Sequence, residues 1–330
     1  MLDRLPITIR GVGCAVPERV VTNDEFARTL DTSDEWIRTR SGIRERRIAG
    51  PGENTLTLAA AASRRALASA GLGPGEIDLI IVATCTPYMP LPATACFLQQ
   101  ELGCRQVAAF DLAAACSGFV YALSIASRMV GTAGCRNALV VGAETLSSIT
   151  DFQDRSVCVL LGDAAGAAVV GPADNGTSGI YHQQLGADGS GAQLIWVPAG
   201  GSAEPATART VNERLHYMRM KGREVYRFAV TKMQEVILEA VRQTGIAPED
   251  LALIIPHQSN LRIIESAAER LGVPMSKVAV NIDRYGNTSA ASIPLALAEA
   301  WEQGRVRTGD WVLMAGFGAG LTWGSILMRL

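Results

Sequence analysis

Runs of apolar residues alternate along this chain with amphipathic or alanine-rich segments, a pattern typical of strands that alternate with helices. Most of these runs are continuously apolar, which predicts strands that lie in a sheet covered by helices on both faces. We predict strands at residues 7–12, 78–84, 107–112, 138–144, 164–171, 253–256, 277–283, 311–316 and 322–328. We predict helices at residues 22–27, 33–37, 55–70, 93–102, 117–130 and 225–242.

The pattern of the first half of the chain recurs in the second half. Equivalent motifs lie 174 positions apart, as in the pairs Gly71 and Gly245, and Leu79 and Leu253. A repeat of this length indicates a duplicated α/β domain rather than a solenoid. We therefore predict two α/β halves, each with a mostly parallel sheet, that pack by pseudo-twofold symmetry and divide at residues 1–174 and 175–330.

One cysteine lies between a predicted strand and a predicted helix. Cys116 follows the strand 107–112 and precedes the helix 117–130. The positive end of a helix dipole favours thiolate over thiol, so this position is suited to a nucleophile. The alternative is a small apolar core residue, which is the usual role of a free cysteine.

The repeat also selects two polar residues of the second half. Residues 284–292 are the counterpart of the segment around Cys116, so we expect Asn287 to lie close to Cys116. His257 follows the strand 253–256, at the strand end where open α/β folds bind ligands. The alternatives are a structural histidine and an asparagine that only forms a turn. Together, Cys, His and Asn supply a nucleophile, a base and an oxyanion donor.

Residues 316–320 are rich in glycine and resemble a dinucleotide-binding loop. We reject that interpretation because residues 322–328 continue as a strand, whereas the dinucleotide motif opens a helix. Glycines at this position instead allow the backbone to approach a reaction centre closely. We expect one of their N–H groups to form an oxyanion hole with the N–H of Cys116.

Composition and charge exclude several classes of protein. The chain has 330 residues, of which 48% are hydrophobic, and a net charge of −2, which argues against binding to nucleic acid or membrane surfaces. The seven cysteines form no CxxC pair and the three histidines lack metal-ligand spacing, so we expect no metal site and free thiols. The first residues lack the apolar region of a signal peptide, so we expect a cytoplasmic location.

Arginine is concentrated directly after a tryptophan. Residues 38–47 contain five arginines and follow Trp36. Such a run is usually a solvated face, but beside an aromatic ring it also suits the stacking of a base and the binding of phosphate.

Seven motifs of the chain, in this order, resemble those of β-ketoacyl-acyl carrier protein synthase III, and together they extend over nearly the whole sequence. They are Ser33-Asp-Glu-Trp-Ile, Thr39-Arg-Ser-Gly-Ile-Arg-Glu-Arg, Ala113-Ala-Ala-Cys-Ser-Gly-Phe, Leu161-Gly-Asp-Ala-Ala-Gly-Ala, His257-Gln-Ser-Asn-Leu-Arg-Ile, Tyr285-Gly-Asn-Thr-Ser-Ala and Gly316-Phe-Gly-Ala-Gly. The resemblance implies a thiolase fold with αβαβα layers, a homodimer, and an acyltransferase that initiates fatty acid biosynthesis. It also implies that acyl-CoA is a substrate and that no cofactor is needed.

The resemblance assigns roles to the catalytic candidates. Cys116 would accept the acyl group of acyl-CoA. His257 and Asn287 would support decarboxylation of malonyl-acyl carrier protein by donating hydrogen bonds to an enolate oxygen. The N–H groups of Cys116 and Gly318 would form the oxyanion hole.

The resemblance also implies three binding regions. Trp36 and Arg155 would enclose the adenine of CoA, with Arg40 nearby, and Arg262 would dock the acidic carrier protein. Leu91 matches a phenylalanine that closes the acyl pocket across the dimer interface, so a wider pocket for longer or branched starters is expected. Ser117 replaces an alanine that is common in the family, a change that we expect to be tolerated.

Related classes of enzyme remain as alternatives. Elongating ketosynthases pair the cysteine with two histidines and degradative thiolases pair it with a histidine and a second cysteine, and the Gly-Asn-Thr-Ser segment argues against both. A secondary-metabolism homologue that transfers or condenses the acyl group onto a different acceptor would keep Cys, His and Asn. A Cys-His-Asn thioesterase or amidase would need neither the repeat nor the tryptophan and arginines, and an intact triad argues against a non-catalytic interaction protein.

Overall fold

The computed structural model describes residues 4–132 and 134–330. The strands are β1 Ile7–Ala15, β2 Val20–Thr22, β3 Glu45–Arg47, β4 Leu79–Ala83, β5 Ala108–Leu112, β6 Ala138–Thr145, β7 Asp163–Pro172, β8 Gly179–Ala187, β9 Ile195–Trp196, β10 Arg219–Met220, β11 Leu251–Pro256, β12 Trp311–Gly318 and β13 Thr322–Arg329. The helices are α1 Asn23–Ala27, α2 Asp34–Ser41, α3 Thr55–Ala70, α4 Thr94–Leu102, α5 Gly118–Met129, α6 Arg155–Cys158, α7 Ala208–Asn212, α8 Gly222–Thr244, α9 Leu261–Leu271, α10 Ile282–Tyr285 and α11 Ser292–Glu302.

Local signals in the sequence set the ends of these helices. The side chain of Asn54 accepts hydrogen bonds from two N–H groups of the first turn of α3, and Gly71 ends that helix in the left-handed conformation. Ser33 caps α2 in the same way and Gly42 ends it. The apolar residues of α3 then pack on β4, β6 and β7, whereas Ile37 of α2 packs in a separate cluster with Phe26 and Ile282.

Two sheets form the centre of the molecule. The first has the order β1-β7-β6-β4-β5 and the second the order β11-β12-β13-β8. Helices α5 and α11 contact both sheets and lie between them, while α3 and α4 cover the first sheet and α8 packs on the second beside α9. The result is the αβαβα arrangement of the thiolase fold. The predicted division between residues 174 and 175 lies in the connection from β7 to β8.

The strand orders of the two sheets correspond to each other. Read as β8-β13-β12-β11, the second sheet repeats the order β1-β7-β6-β4 of the first. The counterpart of β5 is reduced to a single parallel bridge between Val278 and Ile254. The strand predicted at residues 277–283 is therefore wrong, because residues 279–281 have no regular structure and the segment ends in the short helix α10.

Both sheets are mixed, so the prediction of mostly parallel sheets is also wrong. β4 is parallel to β5 and β6, but β7 runs antiparallel to both β6 and β1. In the second sheet only β11 and β12 are parallel. In the second sheet, β12 and β13 are antiparallel because only a short turn separates them, and a short turn can join only antiparallel strands.

The described residues include no helix that is long and apolar enough to cross a membrane.

Candidate active site

Cys116 lies in a tight turn between β5 and α5. The turn, Ala115–Ser117, begins with Ala115 in the left-handed conformation at φ 45°. The turn before α11, Ser289–Ala291, begins with Ser289 at φ 48°, 174 positions later, and the two turns are in contact. Left-handed backbone costs a non-glycine residue on the order of 1–3 kcal/mol and is typical of functional sites. The duplication therefore places two strained turns against each other at one site.

A cavity of about 190 Å³ opens at these turns. Its polar end is formed by Cys85, Cys116, Asn287 and Ser289. The repeat predicts that Cys116 and Asn287 lie close together, and both line this cavity. The remaining walls are almost entirely apolar and consist of Ala115, Leu146, Ile149, Val157, Leu160, Leu161, Ile195, Trp196, Val197, Met218, Met220 and Ala319.

Burial dominates the electrostatics of the cysteine. Cys116 is accessible in part from the cavity, but protein surrounds its thiol, and this burial raises the pKa of Cys116 to about 12. The Ser289 hydroxyl opposes the shift by hydrogen bonding, whereas the charge of Glu144 adds to it. The expectation that this position favours the thiolate is therefore wrong for the free protein, because desolvation exceeds the effect of the helix dipole.

His257 is buried and neutral, and it is not among the described residues that line the cavity. It follows β11, is 1% exposed, and its Nδ1 lies 2.7 Å from the hydroxyl oxygen of Ser292 at the start of α11. Its ring packs edge-on against Phe317 with 5.5 Å between ring centres. Burial lowers the pKa of His257 to about 3, so the imidazole is a hydrogen-bond donor and a poor proton acceptor.

Asn287 is fixed through its backbone. Its N–H donates to the carbonyl of Leu160 at 2.8 Å, and its own carbonyl accepts from the N–H of Gly162 at 3.0 Å. The side-chain oxygen accepts from the N–H of Ser289 at 2.9 Å. That bond assigns the amide orientation and leaves Nδ2, a donor, without a partner among the described residues.

Gly318 meets the expectation of a close backbone approach. A Cβ atom at this position would lie 2.6 Å from the backbone nitrogen of Cys116, which is closer than real contacts allow. Only glycine can therefore bring the end of β12 against the turn that carries the cysteine.

The tryptophan and arginines of the predicted CoA site lie together on the surface. The guanidinium carbon of Arg40 is 4.5 Å from the ring centre of Trp36, and that of Arg155 is 5.3 Å away. Arg155 also pairs with the carboxylate of Asp31 at 3.0 Å. Arg262 is exposed in the first turn of α9, whose capping residue Asn260 donates to the carbonyl of Arg40 at 2.9 Å.

The arginine run is divided between surface and interior. Arg46 is 0% exposed and donates to the carbonyl of Val159 at 2.6 Å and to the side-chain oxygen of Asn23 at 2.9 Å. Burial lowers the pKa of Arg46 to about 10. The interpretation of the run as a solvated face is therefore wrong for Arg46. Its hydrogen bonds join Asn23, the first residue of α1, to Val159, the residue after α6.

Leu91 lies on an exposed loop and is 83% exposed. It is not among the described residues that line the cavity of its own chain. A contribution to an acyl pocket would have to come from Leu91 of a second subunit.

Two models of one protein family match separate parts of this chain. Residues 110–189 match the family model of 3-oxoacyl-[acyl-carrier-protein (ACP)] synthase III, and residues 241–330 match the model of its C-terminal part. A curated β-ketoacyl-[acyl-carrier-protein] synthase III of Roseiflexus sp. (strain RS-1) is 53% identical over 97% of both chains. The chain belongs to the β-ketoacyl-[acyl-carrier-protein] synthase III family. It is therefore an acyl-transferring condensing enzyme.

Solved structures extend the likeness to the whole fold. The 3-oxoacyl-[acyl-carrier-protein] synthase III of Aquifex aeolicus VF5 is 47% identical, with a TM-score of 0.90 over 98% of this chain and all of that chain. The priming β-ketosynthase of the R1128 polyketide pathway is 40% identical, with a TM-score of 0.89 over 100% and 98% of the two chains. The family fold is thus common to enzymes whose names place them in different pathways.

Sequence reasoning missed several residues around the cysteine of this synthase. Glu144, Cys85 and Ser289 surround Cys116, although each lies in an apolar or turn-forming segment that gave no separate signal. The segment 186–207 is rich in glycine, alanine and proline and predicts only a connection, yet this segment and the residues that follow it supply five apolar residues of the cavity wall: Ile195, Trp196, Val197, Met218 and Met220. In the sequence, the apolar pairs Ile195 and Trp196, and Met218 and Met220, are the feature that could have indicated a role in an apolar cavity.

Proposed function

We propose that this enzyme condenses an acyl-CoA starter with malonyl-acyl carrier protein through an acyl-Cys116 intermediate and so initiates fatty acid biosynthesis. The observation that carries the proposal is the meeting of Cys116 and Asn287 at the polar end of an apolar cavity. A thiol at that position attacks the thioester carbonyl while the acyl chain occupies the apolar part. The reaction needs no cofactor because thioester exchange and decarboxylation are driven by the substrates.

In the first half-reaction, the Cys116 sulfur bonds to the acyl carbon, the bond from that carbon to the CoA sulfur breaks, and the thiol proton of Cys116 is replaced by one on the departing CoA sulfur. The N–H groups of Cys116 and Gly318 hold the oxyanion, and the close approach of Gly318 supports this pairing. If adenine stacks between Trp36 and Arg155, the guanidinium carbon of Arg155 must lie about 7 Å from the ring centre of Trp36, because one van der Waals separation is needed on each face of the base. Since the present distance is 5.3 Å, Arg155 withdraws from Trp36 when CoA binds.

In the second half-reaction, malonyl-carrier protein loses carbon dioxide and its enolate attacks the acyl-cysteine. The new carbon–carbon bond forms as the bond to the Cys116 sulfur breaks. Neutral His257 and the Nδ2 group of Asn287 donate to the enolate oxygen. The low pKa of His257 and the assigned orientation of the Asn287 amide support these roles.

The enzyme is proposed to act as a homodimer in the cytosol. β5 ends the first sheet, and its residues are at least partly exposed, which leaves an unpaired edge that a second copy can cover. All seven cysteines are free thiols, as in a reducing compartment. Arg262, exposed near Arg40, is placed to dock an acidic carrier protein beside the CoA site.

A second candidate function is transfer of the acyl group to a different acceptor in a secondary pathway. The similarity to the R1128 priming β-ketosynthase supports it. The two functions share the acylation step and differ in the acceptor, so acylation alone does not separate them.

A panel of labelled C2–C6 acyl-CoAs with malonyl-carrier protein as acceptor tests both functions. We expect label on Cys116 by peptide mapping and a β-ketoacyl-carrier protein as the product. Label elsewhere, or no label with any acyl-CoA, would contradict the acyl-cysteine intermediate. Acylation of Cys116 without a condensed product would favour the second candidate.

A further inference from the structure

The neutral ring of His257 carries one proton, which lies on either of its two nitrogens. The position of this proton decides what the residue can do. A proton on Nε2 makes that atom a donor, as the proposed stabilisation of the enolate requires. A proton on Nδ1 would leave Nε2 with a lone pair, which would repel the negative enolate oxygen. The contacts of the ring therefore determine whether this histidine suits the reaction.

One buried hydroxyl contacts the ring of His257. Ser292, the first residue of α11, is 1% exposed, and its hydroxyl oxygen lies 2.7 Å from Nδ1. That distance is typical of a well-formed hydrogen bond that involves a hydroxyl. Among the described residues, neither the Ser292 hydroxyl nor Nδ1 has another hydrogen-bond partner. The direction of this one bond therefore sets the position of the ring proton.

The number of available protons decides the direction of the bond. If Nδ1 carried the proton and donated it, the hydroxyl hydrogen of Ser292 would have no acceptor among the described residues, and burial keeps water from supplying one. An unpaired polar hydrogen in the interior is costly. If the hydroxyl donates to the lone pair of Nδ1, both groups are satisfied and the ring proton lies on Nε2. This second arrangement is therefore the more stable one.

The surroundings of His257 restrict the orientation of its ring. The backbone N–H of His257 donates to the carbonyl of Ala315 at 2.8 Å, and the ring packs edge-on against Phe317. Nε2 has no hydrogen-bond partner among the described residues, yet it is not one of their enclosed polar atoms that lack a partner. Nδ1 is thus occupied by Ser292, whereas Nε2 stays open to an oxygen atom of the substrate.

We propose that Ser292 is a positioning residue, whose hydroxyl donates to Nδ1 of His257 and holds the imidazole in the tautomer that donates from Nε2 to the enolate oxygen. Ser292 acts only through the ring and contacts no substrate. Its place in the chain supports this role, because it follows Asn287 by five positions. One short segment then supplies one enolate donor and orients the other. The inference rests on the proposed function for the enolate, but the tautomer of the free enzyme does not depend on any substrate.

The tautomer is measured directly by nitrogen-15 NMR of the full-length enzyme labelled in histidine. The chain has three histidines, and the signals of His257 are those that disappear in His257→Ala. Nitrogen chemical shifts distinguish a protonated ring nitrogen from an unprotonated one. At pH 7 we expect a protonated Nε2 and an unprotonated Nδ1 in the wild type. In Ser292→Ala we expect a mixture of both tautomers, because no donor then selects Nδ1 as the acceptor.

Two activities are measured for each variant: decarboxylation of malonyl-carrier protein and single-turnover acylation by acyl-CoA. For Ser292→Ala, we expect kcat of decarboxylation to fall about 10-fold, as for one lost hydrogen bond, while KM stays within about threefold. Acylation is expected to stay within about threefold, because the oxyanion hole supports that step instead. Ser292→Thr keeps the hydroxyl and should retain at least about half of the wild-type decarboxylation rate.

Ser127→Ala is the matched control. Ser127 is also a buried helix serine, and its hydroxyl donates to the carbonyl of Ser124 at 2.7 Å. The control therefore loses one hydrogen bond of similar length without touching the ring of His257. We expect it to change neither activity by more than about threefold.

A proton on Nδ1 in the wild type would overturn the proposal, and this outcome needs no variant to fold. Wild-type decarboxylation in Ser292→Ala would also overturn it, as would an equal loss of acylation, which would indicate a structural role alone. A wild type with the proton on Nε2 that releases no carbon dioxide from malonyl-carrier protein would confirm the effect of Ser292 on the ring and contradict the proposed function.

Discussion

At the scale of single residues, burial decides the chemistry of this site. It raises the pKa of Cys116 and lowers that of His257, so that the two are a neutral thiol and a neutral imidazole at pH 7. A Cys–His ion pair is therefore not the resting state. The histidine is left as a hydrogen-bond donor, which suits enolate stabilisation better than base catalysis.

This assignment of roles predicts a separation of the half-reactions. We expect His257→Ala and Asn287→Ala each to keep acylation of Cys116 within about 10-fold but to lower malonyl-carrier-protein decarboxylation by about 100-fold or more, as when an oxyanion donor is lost. Labelled acyl-enzyme formation and carbon dioxide release measure the two steps. Equal loss of both steps would contradict the separate roles.

The buried arginine predicts an effect on stability. Arg46→Lys loses the geometry that reaches Val159 and Asn23 together, so we expect the free energy of unfolding to fall by about 3 kcal/mol. Chemical denaturation measures this change. Arg44→Lys, at an exposed neighbouring position, is the control and should change it by less than about 0.5 kcal/mol. An equal free energy of unfolding for the two variants would contradict the stabilising role of the hydrogen bonds that Arg46 donates.

At the scale of secondary-structure elements, the site depends on how closely β12 approaches the turn before α5. Gly316 and Gly318 bring this strand against the backbone of Cys116. Glycine at the equivalent place in β6, Gly142, meets the backbone of Ala290 in the same way. The duplicated halves therefore use the same device, a glycine-bearing strand end against a strained turn.

The glycine contact predicts a sharp effect of a single methyl group. In Gly318→Ala, the new Cβ would displace the backbone of Cys116, so we expect acylation to fall at least 100-fold, as for a lost oxyanion donor. Gly75→Ala is the matched control, because nothing lies within 4 Å of its Cβ. Single-turnover acylation is measured for both variants, and retention of more than half the wild-type rate in Gly318→Ala would contradict the contact.

At the scale of the whole molecule, the proposed homodimer bears on the shape of the apolar cavity beside Cys116. The cavity has apolar walls from its own chain, and Leu91 lies on an exposed loop away from them. Leucine is smaller than the phenylalanine of the family pattern. A homodimer in which Leu91 of the partner subunit closes the pocket would therefore accept larger starters.

This arrangement predicts both assembly and specificity. We expect a dimer in sedimentation analysis, and we expect Leu91→Phe to lower acylation by C4–C6 or branched acyl-CoA about 10-fold relative to acetyl-CoA, the usual effect of a few methylene groups in a pocket. Leu185→Phe, at another exposed leucine, is the control. A monomeric enzyme, or an unchanged starter preference in Leu91→Phe, would contradict the prediction.

Most elements, the duplication and the candidates Cys116, His257 and Asn287 could be predicted from the sequence, because apolar periodicity and a repeat of 174 positions are signals that lie along the chain. The mixed direction of the strands, the loss of the strand at residues 277–283 and the burial of Arg46 became apparent only in the folded chain. The fold also brings Glu144 and Ser289 to Cys116 and reverses the expected shift of the cysteine pKa. These features depend on which groups surround a side chain in three dimensions, and desolvation is a property of those surroundings.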